Sequence, residues 1–290
     1  MKAAQISEEV ALLPWRGEAE ERPSLAVPPD PMPLLLGRRL RKRWRWVGAF
    51  AENLIVFAAN VQVGPAAIRF WGVWDRERRR LWEGIRRDFP GRRREVSMRG
   101  RSARVRAGNI EFDLEFDEGY PIECMCPNGE GGYSWTRKDA GMPVRGEVRI
   151  GRRTSALDGL GVIDDSAGYH RRYTSWKWSA GVGTARDGRK VAWNLVTGIN
   201  DPPVASERAI WVAGQPTEPG PVDFQGLGSI HFEDESRLNF TAETTRTHHE
   251  GIPLLVRSDY EAPFGTFTGS VNGLPLESAL GVMEAHDAVW

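Results

Sequence analysis

Apolar and polar residues alternate with a period of two in short stretches along almost the whole chain. The pattern is plainest at 109–116, where Ile110, Phe112, Leu114 and Phe116 share one face and Glu111, Asp113 and Glu115 the other. That is the signature of a half-buried antiparallel strand. Similar stretches recur at 50–63, 68–74, 120–126, 132–138 and 144–150, and again at 173–181, 190–199, 209–213, 238–242, 252–258, 264–271 and 282–289. No long amphipathic helix interrupts them. Residues 75–89 read as a short helix or a hairpin, because Gly84 and Pro90 limit a helix there. Asp187-Gly188 marks a hairpin, since Gly supplies the positive φ of a tight turn.

Many short strands punctuated by 32 Gly and 19 Pro predict an all-β fold. With 290 residues, the expectation is two packed barrel-like or sandwich-like halves with little helix. Residues 33–155 form the first half and 156–290 the second, with a soft boundary at 154–159. Residues 1–32 hold Pro14, Pro23, Pro28 and Pro29 among glutamates, the composition of an extended or partly disordered leader.

Charge is balanced overall but not along the chain. Residues 38–106 carry 20 basic and 6 acidic groups, whereas 223–290 carry 3 basic and 11 acidic. Two readings follow: a phosphate-binding face at Arg78-Arg79-Arg80 and Arg92-Arg93-Arg94, or pairing between the two regions. Neutrality favours pairing, so no nucleic-acid partner is expected. No apolar run reaches the length of a membrane span and no signal peptide is legible, which makes a cytoplasmic protein without an integral membrane segment the expectation. The sequence leaves the oligomeric state open. Cys124 and Cys126, one residue apart, read as small buried hydrophobes. His248-His249-Glu250 lacks a third ligand at a recognisable spacing, so neither metal nor cofactor is expected, and no P-loop, dinucleotide fingerprint or nucleophile elbow is present.

The chemically dense region is 161–181. Here Trp176 and Trp178 share a strand face and form an aromatic wall, to which Trp193 and Asn194 on the next strand are expected to return. Asp164 and Asp165 precede Gly168, where one caps a turn in the structural reading. In the functional reading Asp165 faces the wall, is desolvated and donates a proton, with Asp164 and His170 as further catalytic candidates. Upstream, Trp135, Arg137 and Lys138 are candidates for meeting the polar end of a ligand, and Tyr169 for lining the same cavity.

Five segments together carry a family resemblance: 133–138 (YSWTRK), 164–169 (DDSAGY), 174–178 (TSWKW), 193–198 (WNLVTG), and the ending from Pro263-Phe264-Gly265 to Gly281-Val282-Met283-Glu284. In their order they resemble the domain-of-unknown-function family numbered 2804, over most of the chain after about Pro33. The resemblance extends distantly to lipocalin-related carotenoid hydratases and tocopherol cyclases. It implies two barrel-like halves enclosing an apolar cavity, and chemistry in which an acid protonates a double bond beside aromatic faces. The expected function is binding of an apolar or amphipathic small molecule of the lipid or isoprenoid class. The alternatives are an enzyme acting on such a molecule with Asp165 as general acid, and nucleic-acid binding through the Arg-rich block.

Overall fold

The computed structural model describes residues 2–87, 95–252 and 256–289. A short helix α1 (Lys2–Val10) and strand β1 (Trp15–Arg16) are followed by a small hairpin of β2 (Leu35–Leu36) and β3 (Arg39–Leu40). Ten strands come next: β4 (Lys42–Phe50), β5 (Leu54–Val63), β6 (Ala66–Asp75), β7 (Arg80–Arg87), β8 (Val96–Arg99), β9 (Ser102–Ala107), β10 (Ile110–Phe116), β11 (Ile122–Pro127), β12 (Tyr133–Ile150) and β13 (Arg153–Gly168). The second half holds β14 (Tyr173–Ala185), β15 (Lys190–Thr197), β16 (Ala209–Val212), β17 (Gln215–Thr217), β18 (Val222–Gln225), β19 (Ser229–Phe232), β20 (Arg237–Ile252), β21 (Val256–Val271) and β22 (Leu274–Val289).

These strands form two antiparallel sheets. The first runs β7-β6-β5-β4-β13-β12-β10-β9-β8, with β11 and β1 continuing from the other end of β12. The second runs β17-β16-β15-β14-β22-β21-β20-β19-β18. The fold is all-β, with two packed antiparallel halves and little helix. Residues 75–87 resolve in favour of the hairpin, with Asp75 paired to Arg80 across the β6–β7 turn, and 88 and 89 lie outside the described residues. The sheet changes at residues 169–172 rather than at 154–159, because β13 continues unbroken to Gly168.

Each long strand feeds two cores, since successive side chains point to opposite faces. On β4, Trp46 enters the core shared by the two halves while Val47 enters the first half's own; on β13, Val162 and Ile163 divide in the same way. The first half's core joins Val56, Phe112, Leu114 and Val144. The second half closes around Trp193, Leu195, Phe224, Phe267 and Met283. Between the halves lie Phe57, Trp178, Val182, Phe264 and Val282.

The proline-rich start of the chain is docked. Leu25, Val27 and Met32 are buried against Tyr133, Trp135 and Tyr169, and Trp15 pairs with Met125. Ion pairs also join the basic block to the acidic C-terminal region: Arg76 with Glu243 at 2.6 Å, Arg246 with Glu83 at 2.5 Å, and Arg87 with Glu250. Of the two arginine clusters, Arg92-Arg93-Arg94 lies outside the described residues. Among the described residues no helix is long and apolar enough to cross a membrane, and no group of three or more His, Cys, Asp or Glu converges as metal ligands.

Gly181 shows how tightly the second core is built. A Cβ there would lie 2.1 Å from Trp193 Cζ2 and 2.5 Å from Cε2. Trp193 is fully buried against Phe267 and has nowhere to retreat. Gly181→Ala is therefore expected to cost about 1–3 kcal/mol through overpacking, read as a lower midpoint in denaturant. A variant as stable as the parent would show that this core has slack.

Candidate functional site between the two halves

The inner faces of the two sheets supply a continuous row of rings. It begins at His170, 5.2 Å from Trp44, and crosses to the second half where Trp44 and Trp176 lie nearly parallel at 6.4 Å. Trp176 then meets His286 at 4.3 Å, His286 meets Tyr260 at 5.3 Å, and Tyr260 meets Phe70 at 6.2 Å. Trp44, Phe70, Trp176, Tyr260 and His286 are half-buried, so the row keeps accessible aromatic surface. Below it the core is closed by Trp46 set edge-on to Trp178, and by Phe57 stacked on Phe264.

Glu284 sits at the base of this row. It lies on β22 directly opposite Trp178, is 9 % exposed, and accepts a hydrogen bond from Trp176 Nε1 at 2.8 Å and another from the Tyr260 hydroxyl. Burial raises its carboxyl to about 7, against the pull of the two hydrogen bonds. The same burial holds the Tyr260 phenol well above its ordinary value. It also lowers the imidazoles, His286 to about 4 and His170 to about 3, so both rings are neutral around pH 7. His286 Nε2 shares a hydrogen bond of 2.8 Å with Ser258 Oγ, whereas neither nitrogen of His170 has a hydrogen-bond partner among the described residues.

A buried polar network with members from both halves lies beside the row. Lys138 is 2 % exposed, donates to Asp164 Oδ1 at 2.5 Å and lies 3.4 Å from Glu207 Oε2. Burial by itself would lower the Lys138 ammonium, but Asp164 and Glu207 outweigh it and keep it charged. Glu207 is raised by burial and opposed by Lys138. Asn200 Nδ2 donates to Glu207 Oε2 at 2.9 Å, and within the second half Asn194 accepts from Trp178 Nε1 at 2.8 Å and donates to the Glu207 carbonyl at 2.9 Å; it is the contact of Lys138 with Glu207 that joins the two halves.

The residues singled out in the sequence thus fall in four places. Trp176, Trp178, Asn194, Asp164, Lys138 and His170 belong to the inter-half region or its support. Asp165 does not face the aromatic wall: it alternates with Asp164 on β13 and points the other way, toward Arg45 at 3.7 Å and beside Arg137 on the neighbouring strand. No turn intervenes at Asp164-Asp165, because β13 runs straight through both. Arg137 and Lys138 separate for the same reason, Arg137 to the surface and Lys138 inward. Trp135 and Tyr169 pack under the N-terminal segment, where the Tyr169 hydroxyl donates to the Pro33 carbonyl at 2.7 Å. Trp193 lies in the second half's own core and donates to Ser179 Oγ at 3.1 Å, so it does not join Trp176 and Trp178. Glu284, Trp44, Tyr260 and His286 were not singled out as site residues. The signal available for them was Val282, Glu284 and His286 on alternate positions of one strand, an acid inside an otherwise apolar face.

The model of the family described as "Domain of unknown function (DUF2804)" matches residues 122–290. No curated protein matches the chain. Among solved structures, kievitone hydratase from Nectria haematococca is similar over 86% of this chain and 88% of its own, at 10% identity and a TM-score of 0.51. A protein assigned as an AttH from Nitrosomonas europaea covers 88% of this chain and 98% of its own, at 13% identity and a TM-score of 0.47. CghA covers 86% and 88%, at 9% identity and a TM-score of 0.41.

Proposed function

This chain belongs to the DUF2804 family, and from that premise we propose that it binds an apolar or amphipathic small molecule between its two halves, against the row from Trp44 to Tyr260. The observation that carries the reading is the run of half-buried rings spanning both sheets. Rings that only filled a core would be sealed, as Trp178 and Phe57 are directly beneath them. Aromatic walls with a few convergent polar groups are the usual make-up of small-molecule sites. Here the polar groups are Glu284 and the unpartnered imidazole of His170. The isoprenoid or other lipid nature of the ligand is the finer part of the proposal and rests on the apolar lining.

A second reading makes the site catalytic. A carboxyl raised to about 7 is available both as acid and as base near neutrality, and indole faces stabilise developing positive charge. In this reading Glu284, rather than Asp165, serves as the proton-transfer group, supported by its burial and its hydrogen bond from Trp176 Nε1. The hydratase named above carries weight only for the fold.

Titration with the neutral fluorophore N-phenyl-1-naphthylamine tests the binding reading. Saturable binding is expected, weakened tenfold or more by Trp44→Ala and by Trp176→Ala, each checked for native circular dichroism. Equal affinity in parent and both variants would remove the basis for an inter-half site.

A further inference from the structure

We propose that the β2–β3 hairpin and the loops around it form a docking surface for a membrane that contains anionic lipid. The hairpin belongs to neither main sheet, and its turn projects into open space: a Cβ on Gly37 would meet nothing within 4 Å. Leu35 stands directly opposite Leu40 across it, 52 % and 39 % exposed, with Leu34 exposed beside them. Leu36 packs against the core beneath the N-terminal segment and anchors the hairpin. Arg39 ties it further to the molecule by donating to the Asn128 carbonyl at 3.0 Å and the Tyr169 carbonyl at 3.2 Å. Four residues past Tyr169, Tyr173 adds an exposed ring where β14 begins. Of the seven large apolar side chains that stand exposed among the described residues, four are therefore gathered at this end. Exposed apolar groups gathered in this way mark an interaction surface more than singly scattered ones do.

The surround of these side chains is basic. Residues 30–42, 128–132 and 169–173, which the Arg39 bonds hold together, carry six basic residues against two acids, Asp30 and Glu130. Lys42 is buried, and the other five basic residues are exposed or half-buried. Glu130 is paired with Arg39 at 2.8 Å. The acids of the adjoining strand ends are engaged as well: Glu250 by Arg87, Asp259 by Arg257, and Asp287 by the Tyr173 hydroxyl at 3.3 Å. Arg38 at the turn is exposed, and Arg171 is exposed and donates to the Asn128 carbonyl at 3.1 Å rather than to an acid.

A projecting tip of leucines set among arginines matches a bilayer on both counts. The leucines enter the apolar side of the headgroup boundary while the guanidiniums meet anionic headgroups, and a tyrosine at that depth keeps its hydroxyl wet. A folded protein partner would need a recess shaped to the tip, and a nucleic acid would use the arginines and leave the leucines in water. Trp44 lies two residues inside this end on β4 and Trp176 three residues inside it on β14, so a docked chain turns that end of the aromatic row toward the bilayer. The docking itself rests on the hairpin and its basic surround and not on the inter-half site.

Sedimentation of the full chain with vesicles of phosphatidylcholine alone, and of phosphatidylcholine mixed with phosphatidylglycerol, tests the proposal. Binding to the mixed vesicles is expected to be at least tenfold tighter than to the neutral ones and to weaken as salt is raised. Leu35→Ser/Leu40→Ser is expected to weaken it at least tenfold, and Arg38→Gln/Arg171→Gln several-fold with a shallower salt dependence, each variant checked for native circular dichroism. Tyr120→Ser, an exposed ring elsewhere on the surface, and Trp176→Ala, within the aromatic row, are expected to leave it unchanged. Absence of binding to the mixed vesicles, or binding indifferent to the leucine substitutions, overturns the proposal without touching the inter-half site. Self-association in analytical ultracentrifugation that the leucine substitutions abolish, with no vesicle binding by the parent, would assign the hairpin to a second copy of the chain and overturn it equally.

Discussion

Lys138→Met is expected to lower stability by about 3–5 kcal/mol, because it leaves Asp164 and Glu207 as buried carboxylates without their shared cation. The loss exceeds that of a surface ion pair because neither carboxylate can reach water to recover its solvation. In thermal melts the change corresponds to a fall on the order of 10 °C for a chain of this size. Combining Lys138→Met with Asp164→Leu and Glu207→Gln is expected to restore most of the loss, since apolar or neutral replacements remove the stranded charge. Urea denaturation of the two variants separates the cases. A single variant within about 1 kcal/mol of the parent would mean that the cation is not what holds the network together.

The second large effect is a pH dependence of opposite sign to that of an ordinary carboxylate. The folded-state value of Glu284 is raised from 4.5 to about 7, so the folded chain retains a proton that the unfolded chain has released. Stability from this group is fully present below about pH 4.5, falls as pH rises, and is lost above about pH 7; the total is roughly 3 kcal/mol. The depressed values of His170 and His286 act the other way: their contribution is lost as pH falls below about 6.5. The whole-protein curve therefore blends opposing slopes, and the informative quantity is the difference between parent and Glu284→Gln. Relative to its advantage at pH 4.5, the variant is expected to gain on the parent by up to roughly 3 kcal/mol by pH 8. A flat difference between those limits would mean that Glu284 ionises as an exposed carboxyl does.

How far the sequence could be read depended on whether parity or register was at stake. Alternation within a strand is local, so the split of Ile110, Phe112, Leu114 and Phe116 from the intervening acids was visible and is present in β10. The same rule separates Arg137 from Lys138 and Asp165 from Asp164, but only once the strands are known to run past those pairs. Gly168 suggested a turn, whereas β13 carries on to it. Trp193 was lost by one residue. A two-residue loop at Asp187-Gly188 would bring Trp193 onto the face of Trp176 and Trp178. The hairpin instead closes with Ala185 N–H bonded to the Arg189 carbonyl, a three-residue loop with Gly188 at φ +87°. That shift pairs Trp178 with Val196 and turns Trp193 into the other core. Glu284 was hidden for a different reason: its surroundings come from Trp176 and Tyr260, 108 and 24 positions away, and no local pattern names such partners.

Extraction of protein purified from its own host, followed by mass spectrometry of what is released, addresses the inter-half site most directly. An apolar or amphipathic molecule is expected to be retained by the parent chain and present in reduced amount in Trp44→Ala/Trp176→Ala. Retention that is equal in the parent and the tryptophan variant would contradict an inter-half site.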